Sequence, residues 1–288
     1  MKTYPKSELT LNAKNQVYHL GLSPEQISDK IILVGDQDRV NLVSSLFDSI
    51  EHQSQHREFV CHTGMYNGKK ITALSTGIGT DNIDITINEL DALVNIDLIN
   101  RTDLPKRTTL NLVRIGTCGI LQPEIPVHAY VLSKAAFGLD NVAHFYNINY
   151  REEEISAADK IKSKIGLPSN VNPYFVYANQ ELTNKLSSDK VYEGITVTSS
   201  GFYGPQGRQL RLTTKTTLLN DKLQEVEESG MKVLNFEMES STLFSLGREL
   251  GHQCTTICLG VANRPKLDFS KGYKKEMIEL IRYVLDRM

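Results

Sequence analysis

Two rhythms of apolar positions alternate along this chain. Short unbroken runs such as Ile31-Ile-Leu-Val34 are followed by stretches in which apolar residues recur every three or four positions. The first pattern suits strands buried on both faces, and the second suits amphipathic helices. The reading gives a strand over 31–36, then a helix carrying Val40, Val43 and Phe47. A hairpin spans 56–75 around the turn dipeptide Asn67-Gly68. A helix follows with Ile83, Ile87, Leu90 and Val94 on one face and Asp81 or Asn82 as its cap. Strands are expected over 110–119, 129–133, 173–178, 192–199 and 253–262, and short or terminal helices over 180–186 and 274–287. In the 110–119 strand, Leu112, Arg114 and Gly116 share one face while Val113 and Ile115 share the other. Residues 100–109 read as a charged connection and 140–172 as polar and irregular, with the acidic run Glu152 to Glu154 a solvated face. Strands alternating with helices argue for one α/β domain over residues 1–288, with a mainly parallel or mixed sheet.

Near the C-terminal third, the apolar run 232–236 ends in Glu237-Met-Glu239, and Leu243, Leu246 and Leu250 then mark a helix that Gly251 stops. On extended backbone, residues two apart point to one side, so Glu237 and Glu239 look into a common space. Carboxylates between a strand end and a helix start lie where α/β proteins place ligands. Taken alone, the pair could be a general acid and base, a metal clamp or a clamp for hydroxyls.

Composition narrows the classes. The 288 residues are 40% hydrophobic and 23% charged with a net charge of −2, an ordinary globular balance that points to no nucleic-acid or anionic-membrane surface. The polar first residues lack a signal-peptide core, and no apolar run approaches membrane-spanning length. Cys61, Cys118, Cys254 and Cys258 have neither Cys-x-x-Cys nor zinc spacing and read as reduced core residues. A cytoplasmic location is the resulting expectation, with no metal.

Candidate chemistry gathers at strand ends. Gly35, Asp36 and Arg39 form either an anion-binding turn or an ordinary loop with a surface arginine. Arg57 begins the predicted hairpin. Arg114 in a central strand needs an anionic partner, and Gly116-Thr-Cys-Gly119 adds amides and a hydroxyl. Gly77-Ile-Gly79 says only that backbone passes close to something. The loop Gly201 to Arg208 is either a surface turn or, through Phe202, Gln206 and Arg208, a seat for a flat heterocycle. His19 sits in a short apolar patch, where histidine is usually structural. Arginines with amides suit phosphate, paired carboxylates suit a vicinal diol, and the aromatic loop suits a pyrimidine.

These motifs also carry a resemblance. Gly-Asp-x-x-Arg at 35–39, Arg-Glu-Phe at 57–59, Ser-Thr-Gly-Ile-Gly at 75–79 and Arg-Ile-Gly-Thr-x-Gly at 114–119 are followed in order by four more. Those are Gln-Pro at 122–123, Phe-Tyr-x-x-Gln-x-Arg at 202–208, Glu-Met-Glu-Ser at 237–240 and Gly-Val-x-Asn-Arg at 260–264. Together they resemble the nucleoside phosphorylase-I family, and within it the uridine-cleaving branch. The resemblance implies a three-layer α/β/α fold around a central mixed sheet and phosphorolysis of a pyrimidine nucleoside. It implies that Gly35, Arg39, Arg114 and Thr117 hold phosphate, with Arg57 reaching in from a neighbouring subunit. Met238 and Glu239 meet the ribose with Glu237 close by, and the neighbour's copy of His19 meets the 5′-hydroxyl. Phe202 packs on the base, Gln206 and Arg208 read its edge, and Arg264 supports that corner. The partners so implied are a small nucleoside, inorganic phosphate as co-substrate rather than a cofactor, and further copies of the chain in a homodimer or a hexamer built of dimers.

The chain also departs from the family pattern. Gln37 replaces a frequent proline, and Thr80-Asp81-Asn82 replaces Gly-Pro-Ser, which puts in question the potassium site some relatives build with the counterpart of Glu58. Gly204-Pro205 inverts Pro-Gly, and Gly207 replaces glutamate. No aspartate follows Val261 in the place where purine-specific relatives carry one, which favours a pyrimidine. Two alternatives to the phosphorylase reading are a hydrolytic nucleosidase on the same fold and a non-catalytic nucleoside-binding protein.

Overall fold

The computed structural model describes residues 3–216 and 218–288. The strands are β1 (Lys30–Val34), β2 (Ser49–His56), β3 (Phe59–Tyr66), β4 (Lys69–Ser75), β5 (Ile96–Asp97), β6 (Thr102–Asp103), β7 (Asn111–Ile120), β8 (Tyr130–Gly138), β9 (Tyr174–Tyr177), β10 (Val191–Thr198), β11 (Glu227–Glu228), β12 (Met231–Glu237), β13 (Gln253–Asn263) and β14 (Asp268–Phe269). The helices are α1 (Gln37–Ser44), α2 (Thr80–Asn95), α3 (Glu152–Ile165), α4 (Gln180–Leu186), α5 (Leu219–Gln224), α6 (Ser240–Glu249) and α7 (Lys274–Leu285).

Twelve strands join in one mixed sheet, ordered β11-β12-β10-β8-β13-β7-β1-β4-β3-β2, with β9 on β8 and β14 on β13. Its parallel centre is hydrophobic on both faces. On β1, Ile31 and Leu33 pack with α2 and α6, while Ile32 and Val34 pack with α1 and α7. A third apolar cluster places α3 and α5 against β8, β10 and β12 through Phe137, Ile161, Leu223 and Phe236. The helices thus cover both faces of the mixed sheet, as the resemblance implied.

The sheet does not stay open. Strand β12 pairs parallel with β10 and also antiparallel with β7, at Asn235 with Ile120 and Phe236 with Gly119. This curls β12, β10, β8, β13 and β7 into a ring. Register breaks at Gly194/Ile195 and Gly260/Ala262 supply the local bend. Gly260 allows the close approach there, since a Cβ would lie 2.3 Å from Ile120 Cδ1 and force that side chain to shift. Closure brings the ends of β7, β12 and β13 together beside β1.

Two stretches correct the sequence reading. Residues 140–172 are not irregular: α3 occupies 152–165 and buries Ala157, Ala158, Ile161 and Ile165 at helical spacing. Its face was hidden because two of those four side chains are alanines. Nor is the acidic run a solvated face throughout. Glu154 is 1% exposed and accepts from the amides of Arg151 and Tyr177 and from Arg248 Nη1 at 2.7 Å. Residues 49–55, given no element from sequence, belong to the edge strand β2, whose exposed polar side chains conceal it. The expected side-chain cap of α2 is also absent. The helix starts at Thr80 with Gly79 in the cap position, ahead of both Asp81 and Asn82.

Candidate active site

The ring closure opens a cleft of about 670 Å³ lined by Gly35, Arg39, Arg114, Thr117, Phe202, Gln206, Arg208, Glu237, Met238, Glu239 and Arg264. Of the thirteen site residues expected from sequence, only His19 and Arg57 are missing from this lining. A second cleft of about 520 Å³, beside α3 and α4, contains Arg248, but that guanidinium is already spent on Glu154.

At one end of the main cleft, the β1–α1 turn presents Gly35 and Arg39. Asp36 caps α1, accepting from Arg39 N at 2.8 Å, and also pairs with Arg39 Nη2 at 2.7 Å. That pairing fixes the guanidinium, whose Nη1 reaches the carbonyl of Ile115 at 3.4 Å. Arg114 rises from the middle of β7 between Leu33 of β1 and Thr256 of β13 and is 4% exposed. Its Nη2 donates to Glu239 Oε2, and its Nη1 lies 3.6 Å from Glu237 Oε2. Nε and Nη1 are buried with no hydrogen-bond partner among the described residues. Burial alone would lower the arginine pKa, but the two carboxylates more than reverse this and hold it above its ordinary value.

The two carboxylates do different work. Strand β12 ends at Glu237, and the chain turns at once into α6. Glu237 accepts from Thr198 Oγ1 at 2.5 Å and from the amides of Glu239 and Ser240 at 2.9 and 3.0 Å. It therefore anchors the start of α6, with its oxygens engaged by the protein itself. Burial, reinforced by neighbouring Glu239 and opposed by Arg114, pushes its pKa up. Glu239 is 2% exposed and takes one amide, from Gly79 N to Oε1 at 2.7 Å, besides Arg114. The Gly77-Ile-Gly79 turn thus has its explanation. Gly79 has φ +98, which an L side chain rarely adopts, and its amide holds Glu239.

The opposite end is cationic and aromatic. Gln206 is 3% exposed, although the loop that carries it lies at the surface. Arg208 stacks on Phe202, with Cζ 3.8 Å from the ring centroid, and donates to the Phe202 carbonyl at 2.6 Å and to Gln206 Oε1 at 2.5 Å. Arg264 lies beside Gly119 and Phe236, and its Nη1 is buried without a hydrogen-bond partner among the described residues. Burial, with Arg208 nearby, depresses Arg264 to about 10, and burial also lowers Arg208. Among the described residues, neither arginine forms an ion pair, while Asp221 and Asp268 stand on the cleft wall. Sequence reasoning missed Asn220, Asp221 and Gln224 of α5, along with Ile78, Leu267 and Phe269 at the mouth. A six-residue helix gives too short a period to detect, and exposed apolar residues carry no positional signal.

Residues His19 and Arg57 form a separate group on the outer surface. His19 Nδ1 lies 2.7 Å from Glu89 Oε1, and the amides of His19 and Leu20 donate to the same carboxylate. Arg57 is exposed at the β2–β3 turn, with Cζ 5.6 Å from the Tyr18 ring centroid, and Gln37 Nε2 holds its carbonyl at 2.9 Å. Arg57 has φ +56, a left-handed conformation unfavourable for a non-glycine residue. The four cysteines are free and buried, and no described helix is long and apolar enough to cross a membrane.

Known proteins resemble this chain over most of its length. A uridine phosphorylase of Thermococcus kodakarensis is 28% identical over 276 residues, covering 96% of this chain and 88% of its own length. That of Escherichia coli is 27% identical over 274 residues, covering 93% and 94%. A Trypanosoma brucei nucleoside phosphorylase, whose crystal structure is described as showing uridine phosphorylase activity, superposes with a TM-score of 0.88 at 27% identity, covering 97% of this chain and all of that one. The family model described as the phosphorylase superfamily matches residues 29–284, and the chain belongs to that superfamily.

Proposed function

We propose that this protein cleaves the glycosidic bond of uridine with inorganic phosphate, giving uracil and ribose 1-phosphate reversibly. The observation that carries the reading is one cleft with three kinds of recognition along its length. Buried Arg114 and the fixed Arg39 lie at one end, Glu239 in the middle, and Gln206 with two unpaired arginines at the other. The similarity to uridine phosphorylases over nearly the whole chain supports the same assignment.

In this reading phosphate sits at the Gly35 turn, held by Arg39, Arg114 and Thr117. Glu239 accepts from the ribose hydroxyls and Met238 lines the sugar. Glu237 contributes by holding the start of α6 rather than by touching the sugar, since its oxygens are already taken. The bond breaks through an oxocarbenium-like state with anionic charge moving onto the leaving base. Arg208 and Gln206, backed by Arg264, stabilise that charge, and the low-dielectric cleft strengthens their effect. Bound phosphate stabilises the sugar cation and attacks C1′ from the opposite face. The gain comes from positioning and preorganised charge.

Arg57 and His19 complete the site of a neighbouring copy in this reading. Their placement outside their own cleft, and the strained left-handed backbone at Arg57, favour it. The deciding experiment follows uridine absorbance with and without phosphate. Phosphate-dependent loss of uridine with formation of ribose 1-phosphate is expected. Equal uracil release without phosphate would overturn phosphorolysis.

A further inference from the structure

The anion end of the cleft and its middle share one contact. Arg114 Nη2 is the guanidinium nitrogen nearest the Gly35 turn, lying 3.8 Å from the position of a Cβ on Gly35. That same nitrogen donates to Glu239 Oε2. The other carboxylate oxygen, Oε1, is held separately by the amide of Gly79 at 2.7 Å, so Glu239 keeps its place when Arg114 lets go. Arg39 Nη2 is committed to Asp36 at 2.7 Å, so Arg39 shares the anion through its Nη1, which lies 3.4 Å from the Ile115 carbonyl, and does not replace Arg114 Nη2 at the turn.

Resting on the phosphate-and-nucleoside reading above, we infer that the Arg114–Glu239 pair is an exchange contact that couples the two substrates. Phosphate at the Gly35 turn takes Nη2 from Glu239, and the released Oε2 becomes the acceptor for the ribose hydroxyls. If the nucleoside arrives first, it takes Oε2 and frees Nη2 for phosphate. Either way the buried pair is broken once for two ligands, so each ligand tightens the other by the same factor. The unpartnered Nε and Nη1 of Arg114 keep the guanidinium poised for an incoming anion. Glu239 therefore acts as a coupling residue in addition to meeting the sugar.

The test measures binding, without turnover, to the intact protein in its native assembly. The probes are inorganic phosphate and a C-glycosidic isostere of uridine, whose carbon–carbon bond to C1′ phosphate cannot displace. Calorimetry gives the Kd of the isostere with and without saturating phosphate, for the natural protein and for Glu239→Gln. The expected result is about tenfold tighter binding with phosphate in the natural protein. In Glu239→Gln the ratio falls to near one, and phosphate alone binds more tightly than before. A residue that merely supported the fold would change both affinities without changing their ratio. Independent binding of the two ligands to the natural protein, or a ratio that survives in Glu239→Gln, overturns the exchange. The natural-protein ratio needs no variant, so misfolding of Glu239→Gln leaves that arm decisive. Absence of any phosphate or isostere binding to the natural protein is a different result and overturns the phosphate-and-nucleoside reading itself.

Discussion

Gly116→Ala should leave the protein folded and remove most of its use of phosphate. Gly116 lies on β7 two residues beyond Arg114, on the same face. A Cβ there would sit 2.2 Å from Arg114 Nη1 and 2.9 Å from Cys258 Sγ. Ordinary contact begins near 3.4 Å, so the guanidinium must withdraw by more than 1 Å, and the sulfur by about half that. The guanidinium moves because it ends a flexible side chain, whereas the β7 backbone is held on both sides by β1 and β13. Overpacking of this kind costs about 1–3 kcal/mol of stability. A misplacement of about 1 Å at a group that positions a reactant costs on the order of 100-fold in rate. The assay is uridine loss at varied phosphate, with kcat/KM for phosphate compared between natural protein and variant and thermal melting run in parallel. Gly272→Ala is the control, since a Cβ there meets nothing within 4 Å. A Gly116→Ala enzyme within threefold of the natural kcat/KM for phosphate would refute the placement of Arg114 at the reacting anion. Adding Cys258→Ala relieves the sulfur contact alone. It should recover melting temperature without recovering activity.

Four further outcomes follow from the same geometry. Arg208→Ala removes both the stack on Phe202 and the donor to Gln206, and should lower kcat/KM for uridine by roughly 100-fold, in the range of losing one charge-stabilising donor, with little change in melting temperature. Arg57→Ala should melt like the natural protein, because Arg57 is exposed, yet lose activity; mixing it with inactive Arg114→Ala should restore some, since mixed assemblies contain intact clefts, and no recovery would argue against sites shared between copies. Arg264 is cationic below about pH 10 and loses its proton as pH rises through that value, so the ratio of natural to Arg264→Gln kcat/KM for uridine should be flat from neutral pH and decline through about 10; taking the ratio cancels ionisation of the substrate, and a ratio that never declines removes Arg264 from the base site. Glu154→Ala leaves the amides of Arg151 and Tyr177 without their acceptor, while Arg248 keeps Glu249 and the Asn149 carbonyl, and should cost about 1–3 kcal/mol, read by denaturant midpoint, with kcat unchanged at temperatures where the variant stays folded.

The parts of the molecule legible in sequence are those where one chemical demand acts over neighbouring residues. Strand β1 needed both faces apolar and was read from Ile31-Ile-Leu-Val34. Helix α4 was read over the range it occupies, and the arginine in β7 signalled an anionic partner because nothing else explains a central buried charge. The misreadings arose where the demand came from elsewhere in space. Helix α3 hides its face in two alanines, and β2 is an edge strand whose pattern is set by β3 alone. The curl of the sheet comes from β12 finding both β10 and β7, a long-range pairing with no local trace.

Glu237 and Glu239 show the same division within the site. Their spacing placed both in one common space, on the premise that the backbone stays extended through 239; that the space is the one around Arg114 is a finding of the structure. The strand in fact ends at Glu237, and α6 begins at Ser240. The turn between them gives the two carboxylates different neighbours. Glu237 faces back onto Thr198 and the first amides of α6, where a carboxylate at a helix start is favoured. Glu239 reaches across to the Gly79 amide at the start of α2 and to Arg114. Charge makes the arrangement consequential. Arg39 and Arg114 are matched within the cleft by Asp36, Glu237 and Glu239, so with all five ionised this end carries a net charge of −1. A phosphate dianion cannot settle against that balance unless a pair is exchanged, a carboxylate takes a proton, or another cation arrives. In the proposed reading the exposed Arg57 of a second copy is the cation suited to arrive. The single chain is thus, in that reading, short of positive charge for the anion, and its own cleft also lacks His19. That shortage favours the proposal that a second copy completes the site.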